Sequence, residues 1–387
     1  MPQVPTLVGM TRRVFFLLLA TLAVVGITAS SAAAQGYSFV KVADSVRDGL
    51  DPFSFGCSSV NARGDVAFRA GRVAEDGSNI TDGIYRVDAS DGSLVTIVED
   101  EKRFDFIGRN PSMNDLGDVS FAANLDRGDE AIYRGNGKKL VRIASTAGAF
   151  NFFGFDTSVN DAGSVAFKAE LDEEFGFDEG LFSGSGKRIT THYLASTSQF
   201  DGTDSRPSIN DPGTIAFEES IDFTSGIFVT AGTGFTTIAA PDPDRSVQEP
   251  VLNDGGTVAF ETSFFDEAAQ QFVTAIVTGS GGPLTTVVDT TGPFGSFGFR
   301  PPALNNAGDV AFLATLDDFT TTGIFVGPDA VGDRVIATGD TLDGSTITGL
   351  TFCEEGLNDP GQLAFTAFFE DPVTFETRAA VFLATPA

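Results

Sequence analysis

With 387 residues the chain is long enough for one large core or two domains, and a hydrophobic content of 42% excludes a disordered protein. Acidic residues outnumber basic ones 53 to 24, a formal net charge of −29. A surface this negative excludes a nucleic-acid binder, which needs a positive stripe to displace counterions, and argues against adsorption to anionic lipid.

The N-terminus reads as a targeting segment. Arg12 and Arg13 precede the apolar run Val14–Ala29, and small residues follow, with an A-x-A pattern at Ala32–Ala34. This predicts a signal peptide over residues 1–34, cleaved after Ala34. The run is too short for a comfortable membrane span. "TRRVFF" is similar to a twin-arginine export signal, and the general secretory route also fits. Cleavage leaves 22 basic residues against 53 acidic ones, a net charge of −31. The mature chain, residues 35–387, is expected to be soluble, monomeric, without a membrane span, and secreted or periplasmic.

The first element after the signal is a predicted strand, Tyr37–Asp44. Seven related units follow, each carrying the pattern N-x-x-G-x-[VIL]-[AS]-F. Their asparagines are Asn61, Asn114, Asn160, Asn210, Asn253, Asn305 and Asn358, at spacings of 53, 46, 50, 43, 52 and 53. A period near 50 marks a propeller or solenoid array. The Asn and Gly predict a tight turn, and Val-Ala-Phe has the alternation of a strand. A second strand follows in each unit, such as "GIFV" at Gly226–Val229, and often a third, such as "FTTIA" at Phe235–Ala239. The stretch leading into the asparagine supplies a fourth. Four short strands per unit make a propeller blade.

The seventh unit ends after "AVFLATPA" without its last strand, and Tyr37–Asp44 has the pattern of that missing strand. The expected fold is therefore all-β: a seven-bladed β-propeller of four-stranded blades, its ring closed by the N-terminal strand. Closure also protects sheet edges. The repeated Phe68, Phe121, Phe167, Phe217, Phe260, Phe312 and Phe365 are expected to fill the spaces between blades. Cys57 lies in unit 1 and Cys353 in unit 7, blades that are neighbours only in a closed ring. They predict a disulfide across the seam, the alternative being two separate buried thiols.

From residue 37 onward the chain resembles exported bacterial β-propeller repeat proteins. "SINDPGTIAF" (Ser208–Phe217), "GIFV" and "TTIA" (Thr236–Ala239) are similar to HAF-type repeats and to the WD-like repeats of periplasmic Tol-system propellers. The units carry N-D where the Tol-type turn has P-D, and the chain lacks an N-terminal domain of that type. The resemblance implies an exported propeller and transfers no catalytic residue.

Chemistry on a propeller needs residues that break the repeat. There is one histidine, His192, so a Ser-His-Asp triad would have to use it, and multi-histidine zinc sites are excluded by count. No cofactor is expected. Calcium is the one candidate ion, through the acidic loops Asp172–Gly180 and Asp242–Ser246, although neither matches a calcium-loop pattern. Charge also alternates just before the repeated asparagines: Arg109, Asp156, Arg206, Glu249, Arg300 and Glu354. If these lie on innermost strands they gather at one mouth of the channel, where three arginines would hold an anionic group. The alternative is a belt of salt bridges between blades.

The leading expectation is an exported non-catalytic module that binds a small anionic ligand, a glycan or a protein. A carbohydrate-active or other hydrolase or lyase using carboxylates remains open, as does a purely structural surface protein.

Overall fold

The alternation Val-Ala-Phe puts Val and Phe on one face of a strand and Ala on the other. The computed structural model describes residues 36–387 apart from 75, 76, 78, 101, 102, 173–177, 203, 204, 233 and 372. The predicted signal peptide lies outside the described residues. Each Val-Ala-Phe stretch belongs to the second strand of an antiparallel sheet: Val66–Val73, Val119–Leu125, Val165–Leu171, Ile215–Ile221, Val258–Asp266, Val310–Leu316 and Leu363–Glu370. On its inner side lies the short strand leading into the asparagine. On its outer side lie the Gly-Ile-Phe type strand and then the outermost one. The seven sheets are the seven blades of a propeller.

The ring closes as the strand pattern requires. Tyr37–Asp44 pairs antiparallel with Thr377–Pro386, from Tyr37 opposite Pro386 to Asp44 opposite Ala380, and forms the fourth strand of blade 7. Cys57 and Cys353 are bonded, with Cα atoms 5.7 Å apart, and so tie blade 1 to blade 7. Among the described residues no helix is long and apolar enough to cross a membrane.

Adjacent blades pack by a repeated rule. The small face of one blade receives the large face of the next. Ala67 and Ile84 of blade 1 lie against Phe121 and Tyr133 of blade 2. Ala216 and Ile227 of blade 4 lie against Phe260 and Val277 of blade 5. Ala364 and Val381 of blade 7 lie against Phe68 and Tyr85 of blade 1, which completes the circle. All seven repeated phenylalanines are buried. Burying each contributes about 2 kcal/mol.

The asparagines do two things at once. Each Oδ1 accepts the N–H four residues on, as from Ser164 to Asn160 at 2.9 Å, and so holds its own turn. Each Nδ2 donates to the backbone carbonyl of the next repeat's asparagine. The chain of donors runs Asn61, Asn114, Asn160, Asn210, Asn253, Asn305, Asn358 and back to Asn61, with lengths of 2.8–3.4 Å. Aspartate lacks the donor, which is why the position is asparagine seven times. The glycine three residues on has φ between 71° and 89° in every blade, a conformation that disfavours any side chain. The turns define an asparagine face. The hairpins between second and third strands define the opposite, hairpin face.

Replacing Asn160 by Asp keeps the acceptor and removes the donor to the Asn210 carbonyl. A loss of about 1–3 kcal/mol is expected, the cost of one buried unsatisfied group, read as a lower midpoint in chemical denaturation. An unchanged midpoint would show that the ring of bonds contributes nothing.

Candidate functional site

On the asparagine face, the residue after each asparagine extends the ring. Asp115 accepts the N–H of Ala62, Asp161 that of Asp115, Asp211 that of Asp161, Asp254 that of Asp211, Asn306 that of Asp254, and Asp359 that of Asn306, at 2.7–2.9 Å. Only at Ala62 is there no side chain to continue the series. Burial raises the pKa of Asp115 and Asp211, and neighbouring carboxylates add to it. These acids are committed to backbone donors around a shallow funnel of about 170 Å³. They are part of the scaffold.

Of the six charged residues expected at the channel, the structure brings four together. Asp156, Arg206, Glu249 and Glu354 each stand four residues before their asparagine. Arg109 and Arg300 stand five before, and both are exposed. Both lie in bends that lead into the inner strands of blades 2 and 6. Arg206 is buried and crosses the channel from blade 4 to blade 7, where its Nη1 lies 3.1 Å from Glu354 and its Nη2 pairs with Glu355. The Arg206 backbone N–H donates to Glu249 at 3.2 Å. Asn110 donates to Asp156, and Ser112 to Glu355 at 3.1 Å.

Burial opposes the Arg206 charge, but Glu354, Glu355 and Asp156 outweigh it and raise its pKa. Glu249 is pushed up by burial and further by Asp156 and Glu354, against the lowering effect of its hydrogen bond from the Arg206 backbone. One guanidinium among four carboxylates does not make an anion pocket. The cluster is a plug that closes the channel. Glu355 was missed in the sequence, although the doubled acid of "CEEG" (Cys353–Gly356) was visible there.

The other candidates are dispersed. His192 lies on the outermost strand of blade 3, half-buried, with Nε2 2.9 Å from Ser183 Oγ. Its Nδ1 is buried without a partner, so no carboxylate orients the ring as a base. Burial lowers its pKa. Between blades 3 and 4, Lys168 is buried 2.5 Å from Glu219 and 2.6 Å from the Tyr193 hydroxyl, which itself donates to Glu219. Of the acidic loops weighed for calcium, Asp172–Gly180 lies largely outside the described residues. In Asp242–Ser246, Asp242 caps its own turn by accepting the Asp244 N–H at 3.0 Å. Among the described residues, one group of metal-ligand types converges: Cys57, Cys353 and Glu354. The bonded sulfurs offer no thiolate there.

The hairpin face carries features that packing does not explain. Phe223, Phe319 and Phe375 are 95%, 74% and 72% exposed, at φ of 63°, 56° and 59°. Asp222 and Phe223 form a two-residue hairpin loop between the paired Ile221 and Thr224, both with positive φ. Such a turn favours Asn-Gly, so phenylalanine stands where glycine belongs. In blade 6 the Phe319 N–H donates to the Leu316 carbonyl. The corresponding donors are Gly77 to Ala74 in blade 1 and Gly128 to Leu125 in blade 2, both at positive φ. Phe53, Phe272 and Phe299 are also exposed. Two grooves open beside these rings. One, of about 480 Å³, lies between Phe223 and Phe272, and the other, of about 1170 Å³, is bounded by Phe53 and Phe375.

No family model and no curated protein matches the sequence. Among solved structures, the chain is similar to the acylaminoacyl peptidase of Pyrococcus horikoshii, with a TM-score of 0.50 and 10% identity over 82% of this chain and 49% of that one. It is also similar to the β-propeller domain of the Trilobed protease from Pyrococcus furiosus, with a TM-score of 0.50 and 8% identity over 84% of this chain and 93% of that one. The chain spans about half the length of the acylaminoacyl peptidase. At these identities the likeness shows the propeller fold alone. The Trilobed protease domain is described as having an open velcro topology. Here the N-terminal strand closes the ring.

Two outcomes test the electrostatics. Replacing Arg206 by Met leaves Glu354 and Glu355 without their cation and should cost about 3–5 kcal/mol of stability. Adding Glu354→Gln and Glu355→Gln should recover much of it. The second concerns Glu261, whose pKa burial alone raises to about 7. The folded chain then holds a proton that the unfolded chain releases near the ordinary glutamate value of 4.5. That contribution is complete below about pH 4.5 and disappears as pH rises through about 7. Glu218, also near 7, acts in the same sense, and His192 acts oppositely below its ordinary value. Denaturation midpoints of Glu261→Gln should therefore fall less between pH 5 and 7.5 than those of the wild type. Parallel profiles would refute the assignment.

Proposed function

We propose that the protein is an exported, non-catalytic interaction module that binds a partner protein through its hairpin face. The observation that carries this is the phenylalanine at the left-handed position of the hairpins in blades 4, 6 and 7. A bulky residue there costs on the order of 1–2 kcal/mol relative to glycine, and blades 1 and 2 avoid that cost. The rings are mostly in solvent, 95%, 74% and 72% exposed, so packing within the chain offsets little of that cost. Exposed aromatic side chains on a rigid scaffold are what protein interfaces use as anchors. The Cys57–Cys353 bond supports an oxidising compartment, in keeping with the predicted signal peptide.

The test is the triple variant Phe223→Gly, Phe319→Gly, Phe375→Gly. It should fold with equal or greater stability, by about 1 kcal/mol per site. A displayed random-peptide library selected on the wild-type protein and counter-selected on the variant should yield peptides that bind only the wild type. A library with no discriminating peptide would overturn the reading.

A further inference from the structure

The hairpin tips of blades 4 to 7 share a second property. Each sets phenylalanine among carboxylates. Asp222 precedes Phe223, Asp266 and Glu267 follow Phe265, Asp317 and Asp318 precede Phe319, and Asp371 and Glu376 flank Phe375. The tip segments 221–224, 266–271, 316–322 and 370–377 contain no lysine or arginine. Asp318 accepts the Thr321 hydroxyl at 2.6 Å and then the backbone N–H groups of Thr321 and Thr320, and Asp371 accepts the backbone N–H groups of Thr374 and Val373, which lowers both pKa values and holds the carboxyls in the charged form.

The same face also shows what such a pairing of ring and acid receives. Arg245 lies over the Phe264 ring at 4.4 Å, in the groove beside Phe223. Arg378 lies over Phe369 at 4.5 Å while pairing with Asp343 at 3.0 Å, in the groove beside Phe375. Guanidinium groups of the chain itself thus rest on aromatic faces in both grooves. The outer rings and acids at the tips have the same chemistry and are exposed. Exposed basic groups on this side, Arg47, Arg103, Arg109, Arg127 and Arg300, lie outside the tips of blades 4 to 7; Arg127 stands at the blade 2 tip.

Resting on the interaction reading above, we infer that the partner is a basic polypeptide segment with interspersed apolar residues, lying along the hairpin tips of blades 4 to 7. Its lysines or arginines meet the tip carboxylates and the faces of Phe223, Phe319 and Phe375, and its apolar side chains enter the two grooves. The net charge of −29 attracts such a segment from a distance, and at the tips the rings select it. An anionic bilayer is repelled by the same charge.

The experiment is calorimetric titration of the purified protein with a synthetic 20-residue peptide alternating lysine with leucine and serine. Controls replace lysine by glutamate, or leucine by serine. Phosphatidylcholine vesicles are titrated in parallel. The basic apolar peptide should bind, with affinity falling as salt rises. The triple glycine variant should weaken it at least tenfold, as should Asp222→Asn, Asp318→Asn, Asp371→Asn, Glu376→Gln together. Equal binding to the triple glycine variant, equal binding of the glutamate peptide, or binding of vesicles in preference to peptide would each overturn the inference. If the library yields discriminating peptides without net positive charge, the interaction reading stands and the charge assignment falls.

Discussion

The Nδ2 of each repeated asparagine donates to the backbone of the next repeat, and seven such bonds close on themselves. Everything else in the ring is placed by this circle. It sets the angle between blades, because each donor reaches one carbonyl of one neighbour. It satisfies buried backbone at the narrowest part of the molecule, where water is least available to do so. It also constrains the residue: the same side chain must accept from its own turn and donate across the interface. Around it the Asp115-type carboxylates add bonds of the same sense, and the serines at positions 59, 112, 158 and 208 add bonds of the opposite sense, each accepting a backbone N–H of the following blade.

Outside the circle, stability comes from shape. An alanine face against a phenylalanine face repeats seven times, so each blade is both hole and knob. Position-specific departures are tolerated where the interface can absorb them. Lys168 follows the repeated Phe167, where other units carry residues as different as Arg69, Glu218 and Leu313, and it is met by Glu219 and Tyr193. Arg206 reaches the far side of the channel and is met by Glu354 and Glu355. In both cases a buried charge has its partner on a different blade. Such pairs bind blades to one another, and each is costly to break singly.

The residues around the asparagine funnel are thereby committed to structure, and Arg206 pairs across the channel with Glu354 and Glu355. The exposed phenylalanines lie on the opposite, hairpin face. There the backbone holds phenylalanine in a conformation that suits glycine, and the rings meet solvent. Strain retained where internal contact is slight is the basis of the proposed interaction role. The likeness to the propeller of a protease bears on the fold alone.

The repeat pattern by itself determined the fold class, the number of blades and the closing strand, and it made Cys57 and Cys353 neighbours while leaving open whether they are bonded. These follow from local rules, turn chemistry and two-residue alternation, copied seven times. The assembly of the charged belt did not follow. The offset of Arg109 and Arg300, five residues before their asparagines against four for Arg206, could be counted in the sequence, but that it leaves them exposed while Arg206 is buried could not. The Arg206–Glu355 pair spans 149 residues and two blades that do not touch. The significance of Phe319 was equally hidden, although "DDF" in blade 6 and "DRG" in blade 2 could be compared by eye. Only the tertiary structure shows that both occupy one hairpin position with positive φ, because the sign of a backbone angle is set by the pairing of strands and not by the residue it is imposed on.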